Sequence, residues 1–397
     1  MFVLLSSNAE TLFKRGILEA TSLPEKHPLE FRYQTKNVSE EIVASLQQGT
    51  EANLLRRRNT RALIVYAQRP DKQLQQEHYE YCPVRFATIE SLRLLGDIVF
   101  VGLCLQDFPN LRNWTERPDG IELCKWLVTR DGAVNDQTFA GKFFADFDRE
   151  GWDLRGSEKV DGELWQSVVD ELANMPSMYD CLFYRVRGLF YPPRRSRLRS
   201  LFSKSRPLIR ENRIAPRATP GFLTYPIDMS RAVDLKLLFY RPKREAPPQG
   251  YANTVKAILK VEADKSGFSE IPAQNLQLES RYDELVLRMV TKRVFDNTLA
   301  PISIRCESTK PQNMLACEPM LLCTVRVPRL LLGVLLGCFF AAPFLLAASS
   351  DDFKLLLNIA ADDPDHIAAR WAVYAKVSGG LVAAIAAFIA FRRLPVK

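Results

Sequence analysis

The chain has 397 residues, 47% hydrophobic and 25% charged, with 54 Lys and Arg against 46 Asp and Glu for a formal net charge of +8. That length allows two or three domains with cores of their own, and the basic balance points to an anionic partner, an anionic membrane face before nucleic acid. Eight cysteines (Cys82, Cys104, Cys124, Cys181, Cys306, Cys317, Cys323 and Cys338) include no Cys-x-x-Cys pair and sit among apolar neighbours, so they read as small buried hydrophobes of a reducing compartment.

The opening run from Met1 to Asn8 is too short for a signal-peptide core and has no basic flank, which argues against secretion of the large N-terminal part. Helix is expected over Glu40 to Gln48, with Ser39 placed to cap it. Two apolar, β-branched stretches, Arg61 to Ala67 and Asp97 to Leu105, read as buried strands. Pro83 to Glu90 alternates as a half-buried strand and is joined to the next by Arg93 to Asp97. Leu164, Val168, Leu172 and Met175 recur at helical spacing, and Cys181 to Arg187 closes the segment as a final strand.

A break follows. Pro192 to Arg213 holds eight Arg or Lys residues and one acidic residue, Glu211, with Leu198, Leu201 and Phe202 at near-helical spacing. Arg194, Arg195, Arg197, Arg199, Lys204 and Arg206 are the expected contacts to anionic lipid, the plain alternative being a solvated linker. Nucleic acid is disfavoured, because no aromatic platform accompanies the charges. Short strands then recur over 235–240, 254–262, 284–294, 302–306 and 320–327, separated by Pro- and Gly-containing turns, which predicts an antiparallel sandwich.

Leu330 to Ala348 is nineteen residues without a charge or amide, about 28 Å of helix and enough for a bilayer core. A second stretch, Val377 to Phe391, is shorter and is expected to begin near Trp371 and Tyr374, with Lys376 reaching towards the headgroups. Small residues recur every fourth position in both, as Gly333, Gly337 and Ala341 and as Gly379, Ala383 and Ala387, the spacing that lets helices approach closely. Arg326 and Arg329 before the first stretch, and Arg392 and Arg393 after the second, orient both flanks inward. The expected fold is therefore an α+β N-terminal domain over 1–191, a basic Pro/Arg-rich linker over 192–219 and an all-β antiparallel, sandwich-like juxtamembrane domain over 220–327. A C-terminal two-helix transmembrane hairpin over 328–397, with an acidic external loop at 349–373, would place the protein in the plasma or inner membrane with its other parts cytoplasmic.

Chemistry is sparse. His27, His78 and His366 are the only histidines. His78 and Cys82 could form a base–nucleophile or ligand pair, but nothing in the sequence completes a triad or a four-ligand metal site. Asp146 to Gly151 resembles the start of an EF-hand calcium loop and then departs from it, with Asp153 at the hydrophobic position and Ser157 where the bidentate glutamate belongs. No phosphate-binding, nucleophile-elbow or zinc-protease motif occurs, so no cofactor is expected. The leading expectation is a non-enzymatic, membrane-anchored binding, sensor or scaffold protein whose partners are the lipid bilayer and a cytoplasmic protein or small ligand, with homo-oligomers allowed. The alternatives are an effector whose hairpins oligomerise to perturb the membrane, and a metal-dependent enzyme using Asp146 and Asp148.

Overall fold

The structure, a computed structural model, describes residues 1–7, 11–51, 60–69, 79–131, 142–147, 161–192, 212–219, 222–242, 255–269, 274–278, 282–294, 296–308 and 315–326. Two compact units are present. The first comprises Met1–Pro226, Arg231–Lys292 and Leu299–Thr324; the second comprises Ile227–Ser230, Arg293–Thr298 and Val325–Lys397.

The first sheet is built from β1 (Phe2–Ser7), β2 (Pro28–Gln34), β3 (Arg61–Gln68), β4 (Glu80–Leu95), β5 (Ile98–Leu105) and β6 (Phe144–Asp146), in the order β2-β5-β4-β3-β1-β6. The opening run of the chain is the buried strand β1, every residue of which is out of water. It lies parallel to β3, with Phe2 opposite Ala62 and Ser7 opposite Ala67. Helices α1 (Thr11–Ser22) and α2 (Glu40–Gln47) fall in the connection between those two strands. Because β1 and β3 are buried on both faces, their sequences are continuous apolar runs with no alternation. β4 carries Pro83 in its interior, where the β3–β4 register shifts between Ile64 and Val65; the irregularity accommodates a residue that cannot donate to a regular ladder.

After α3 (Pro118–Asp131) and α4 (Asp161–Ala173), the chain is almost wholly β. β7 (Cys181–Tyr191) pairs antiparallel with β11 (Ala232–Tyr240), which pairs with β14 (Tyr282–Val290). The short strands β8 (Asn212–Arg213) and β16 (Leu315–Ala316) lie against β7. A further sheet runs in the order β13 (Gln274–Leu278), β12 (Val255–Ala263), β15 (Thr298–Ser308), β17 (Met320–Arg326), β10 (Phe222–Asp228), β9 (Arg217–Thr219). α4 ties the two parts of the first unit together: Trp165 Nε1 donates to Thr21 O at 3.1 Å, and Tyr240 OH donates to the Asp170 carboxylate at 2.8 Å.

Arg85, on β4, is fully buried and is the hub of the first sheet. Its Nη1 donates to Ala20 O at 2.8 Å and Leu23 O at 2.6 Å, and its Nε donates to Gln106 O at 2.7 Å. The first two acceptors lie at the C-terminal end of α1, where backbone carbonyls lack intrahelical donors and the helix dipole favours a cation. The guanidinium carbon also sits 4.2 Å from the Phe108 ring centroid, an additional favourable placement for the charge.

Seventeen strands and four α-helices are present among the described residues, and none of those helices is long and apolar enough to cross a membrane. The longest, α3, has 14 residues, about 21 Å of helix against about 30 Å of hydrocarbon. No two-helix hairpin occurs among the described residues, and the segment in which it was expected, 328–397, lies outside them. The transmembrane hairpin, the integral-membrane localisation and the cytoplasm-facing orientation drawn from it are therefore not supported. An uncharged run satisfies a hydropathy criterion without establishing a spanning helix. The sandwich expectation agrees with the structure only in part, because the sheet containing β11 and β14 takes in β7 from the segment read as the N-terminal domain.

Replacing Arg85 by Met, which keeps much of its volume, should lower stability by about 3–5 kcal/mol in urea denaturation, since three buried carbonyls lose their donor together. Arg85→Lys should recover less than half of that loss, because one ammonium cannot reproduce the three-way fork.

Candidate functional site

In α/β sheets, ligands commonly sit beyond the carboxyl ends of parallel strands, here Ser6–Ser7 of β1 and Ala67–Gln68 of β3. Polar side chains do gather there, and they bond to one another. Tyr66 OH and Ser177 Oγ are 2.5 Å apart, and Gln68 Oε1 accepts from Ser177 Oγ at 2.8 Å and from Ser177 N–H at 3.2 Å. Ser6 Oγ donates to Phe13 O at 3.0 Å, and Lys14 pairs with Asp180 at 2.7 Å. Burial pushes the Tyr66 phenol up, out of reach of ionisation near neutrality. This is a seam docking the turn Pro176–Met178 onto β3, with its hydrogen-bonding capacity turned inward.

The thiols are likewise placed for packing. Cys82 lies opposite Tyr66, buried, with its Sγ 3.6 Å from Pro83 O. Burial raises the pKa values of Cys82, Cys317 and Cys323, and pushes that of half-buried Cys104 up to about 11. A nucleophilic cysteine needs the opposite shift. His78, the proposed partner of Cys82, lies outside the described residues. Asp146, first residue of the calcium-like motif, lies at the end of β6 with the Met1 amino group 3.3 Å from its Oδ1; Asp148 to Ser157 are outside the described residues. Among the described residues, no group of three or more His, Cys, Asp or Glu side chains could hold a metal ion.

The outer ends of β2, β5 and β4 offer a different arrangement. Arg32 on β2 and Arg93 on β4 both lie opposite Phe100 on β5. Their guanidinium carbons stand 5.3 Å and 5.7 Å from the Phe100 ring centroid. Glu30 joins them, accepting from Arg32 Nε at 3.2 Å and Arg93 Nη2 at 2.8 Å. Both arginine side chains nevertheless remain about two-thirds exposed, at 66% and 67%. Leu95, at the end of β4, is 71% exposed. Gly102 flattens the adjoining position on β5: a Cβ there would come within 2.3 Å of Ser91 Oγ.

Two cations against one carboxylate leave this face positive, and each guanidinium has five donors, of which Glu30 occupies one. Arginines held by an aromatic ring lose less freedom on binding and present their planes ready for a carboxylate. The rear of the same strands is core: Phe31, Tyr33, Val99, Val101 and Leu92 are buried, so the face rests on a rigid support.

Of the residues expected at helix packing, anionic lipid or the membrane interface, only Arg326 is described. It ends β17, and its Nε is 3.2 Å from Asp228 Oδ1. Gly333, Gly337, Ala341, Gly379, Ala383, Ala387, Arg194, Arg195, Arg197, Arg199, Lys204, Arg206, Arg329, Trp371, Tyr374, Lys376, Arg392 and Arg393 lie outside the described residues. The Arg32–Phe100–Arg93 face was not anticipated. Phe100 sits inside an apolar run that reads as wholly buried, and Arg93 reads as part of a turn. The hairpin instead turns tightly at Gly96-Asp97, where Gly96 has φ +61°, and β4 extends to Leu95. No protein-family model matches the chain, and no curated protein matches it in sequence.

His27 supplies a pH handle on this part of the sheet. Its Nδ1–H donates to Pro28 O at 2.8 Å. Burial lowers its pKa below 6.5, with Arg85 adding to the effect and hydrogen bonds to Pro28 and Met320 opposing it. A folded-state value below the unfolded one means that the unfolded chain takes the proton first as pH falls. Its contribution to stability is therefore full above pH 6.5 and declines below it. Urea midpoints measured at pH 7.5 and 5.5 should show that decline, and His27→Gln should reduce it.

Proposed function

We propose that the protein is a binding protein, not an enzyme, and that it recognises a protein segment in which an acidic side chain neighbours an apolar one. The carrying observation is the Phe100 ring flanked by two exposed guanidiniums, with exposed Leu95 on the adjoining strand. Arginine and aromatic residues backed by a rigid, well-packed support are the usual centres of binding energy at protein interfaces. A carboxylate arriving at Arg32 and Arg93 would form charge-assisted bonds, while an apolar group beside it would cover Leu95 and the edge of Phe100. The inward-turned polar seam at the ends of β1 and β3, and thiols held in their neutral form, favour recognition over catalysis. The membrane-perturbing alternative had its basis in the C-terminal hairpin and is not carried further.

Selection of a random 16-residue peptide display library on the full chain tests the reading. Peptides pairing Asp or Glu with an apolar neighbour should be enriched. Arg93→Glu and Phe100→Ala should each weaken the enriched peptides at least tenfold, about 1.4 kcal/mol, without changing the circular dichroism spectrum. Absence of enrichment, or binding indifferent to both substitutions, would sink it.

A further inference from the structure

We propose that β14 is a self-recognition edge through which two copies of this chain join antiparallel into one continuous sheet, with Val286 on the two-fold axis. Thr291 donates its N–H to Arg231 O at 2.9 Å, facing β11, whereas Val290 accepts from Ser269 N–H at 3.0 Å on the opposite side. The β11–β14 register runs unbroken from Ala232 opposite Val290 to Tyr240 opposite Tyr282. Backbone groups point alternately to the two sides of a strand, so those of Arg288, Val286 and Glu284 point away from β11. Among the described residues, no strand pairs with that side of β14 over Glu284–Arg288.

The side chains of the same residues share the outer face, where Tyr282, Val286 and Val290 are nearly half exposed. Glu284 and Arg288 alternate with them. Antiparallel pairing centred on Val286 sets Val286 against its own copy, Glu284 against the copy's Arg288, and Arg288 against the copy's Glu284. Opposite charges then meet at both flanks of an apolar centre, a favourable cross-strand arrangement. Centring one residue either way sets the charges against apolar side chains, and centring on Glu284 or Arg288 sets like against like. One register is thus selected. Existing ion pairs survive it: Arg288 keeps Asp234 at 2.8 Å, and Glu284 keeps Arg187 at 3.5 Å. Each gains a partner across the axis.

Natural sheets blunt exposed edges with charged side chains, lysine above all, and with proline, bulges or brevity. Among the other edges, β2 begins at Pro28, while β6 and β9 have three residues each. β14 has nine residues, no lysine, no proline and no register shift. The stretch short of the Ser269 contact, Glu284–Arg288, is self-complementary, its opposite charges placed symmetrically about Val286 so that a two-fold pairs them, and this fits a second copy as its occupant.

Sedimentation of the full chain should give twice the 45.2 kDa chain mass, and Val286→Pro should weaken self-association at least tenfold. The Val286 N–H points outward, so proline there removes nothing from the β11 ladder. Cysteine substitutions test the register independently of that variant's folding. At the axis the two Val286 Cα atoms would be about 5.5 Å apart, within disulfide reach, whereas Glu284 would lie about 13 Å from its own copy. V286C should therefore cross-link under mild oxidation well above the unsubstituted chain, and E284C should not. Equal cross-linking of both variants, no V286C cross-link above the unsubstituted chain, or a folded Val286→Pro protein with unchanged mass would overturn the proposal.

Discussion

A guanidinium sealed inside a sheet is the constraint on which the first sheet is organised. Desolvating Arg85 costs several kcal/mol, and the fold offsets that cost with three carbonyls and an aromatic face drawn from separate segments. Ala20 and Leu23 come from the end of α1, Gln106 from just beyond β5, and Phe108 from the chain that follows. Satisfying one side chain therefore fixes where α1 ends and how the chain leaves β5. Lys26 N–H to Leu105 O, at 2.7 Å, and Leu105 N–H to His27 O, at 3.0 Å, lie in the same neighbourhood. They lead directly into β2, and β2 delivers Arg32 to Phe100. The Arg32–Phe100–Arg93 face thus shares strand β4 with the buried cation and depends on the same local packing.

Charge is handled in two contrasting ways. Inside, donors meet carbonyls: Arg85 at the helix end, Trp165 at Thr21, Tyr184 OH at Cys317 O, 2.6 Å away. On the outer face of the β11–β14 pair, charges meet charges across neighbouring strands, with Asp234 opposite Arg288 in a non-hydrogen-bonded pair, where side chains approach closest. Gly188, at φ +126°, lies opposite Lys236, beside the step between Lys236 and Leu237 at which the β7–β11 register shifts. Lys236 in turn reaches 4.9 Å from the centroid of Phe190. Exposed ion pairs such as Arg187–Glu284 contribute little stability individually. Their effect is on pattern, because they leave apolar Tyr282, Val286 and Val290 as the unbalanced surface of β14.

Much of the strand content was legible without the structure. Arg61–Ala67 and Asp97–Leu105 read as strands because continuous β-branched runs have few other uses at that length, although β5 is buried only at alternate residues. The helix expected over Glu40–Gln48 is present as Glu40–Gln47, beginning after Ser39 as read, although the Ser39 side chain makes no capping hydrogen bond. The β4–β5 hairpin was read too short, since Arg93 and Leu95 carry no local sign of being strand residues beyond their alternation. The uncharged stretches near the C-terminus satisfied a bilayer criterion by length and composition alone, and the structure does not support the conclusion drawn from them.

What the sequence by itself determined was therefore local: which short segments prefer strand or helix, where arginine and lysine concentrate, and that histidines are few. Pairing belonged to the tertiary structure. It placed β1 beside β3 across some sixty residues of chain, joined β7 to β11, set two arginines over one phenylalanine, and left the outer side of β14 without a strand partner over Glu284–Arg288 among the described residues. The reason is physical. Strand propensity depends on a few adjacent side chains, whereas register and neighbour choice depend on burying the whole set of apolar faces while satisfying every enclosed polar group, a condition that no local window contains.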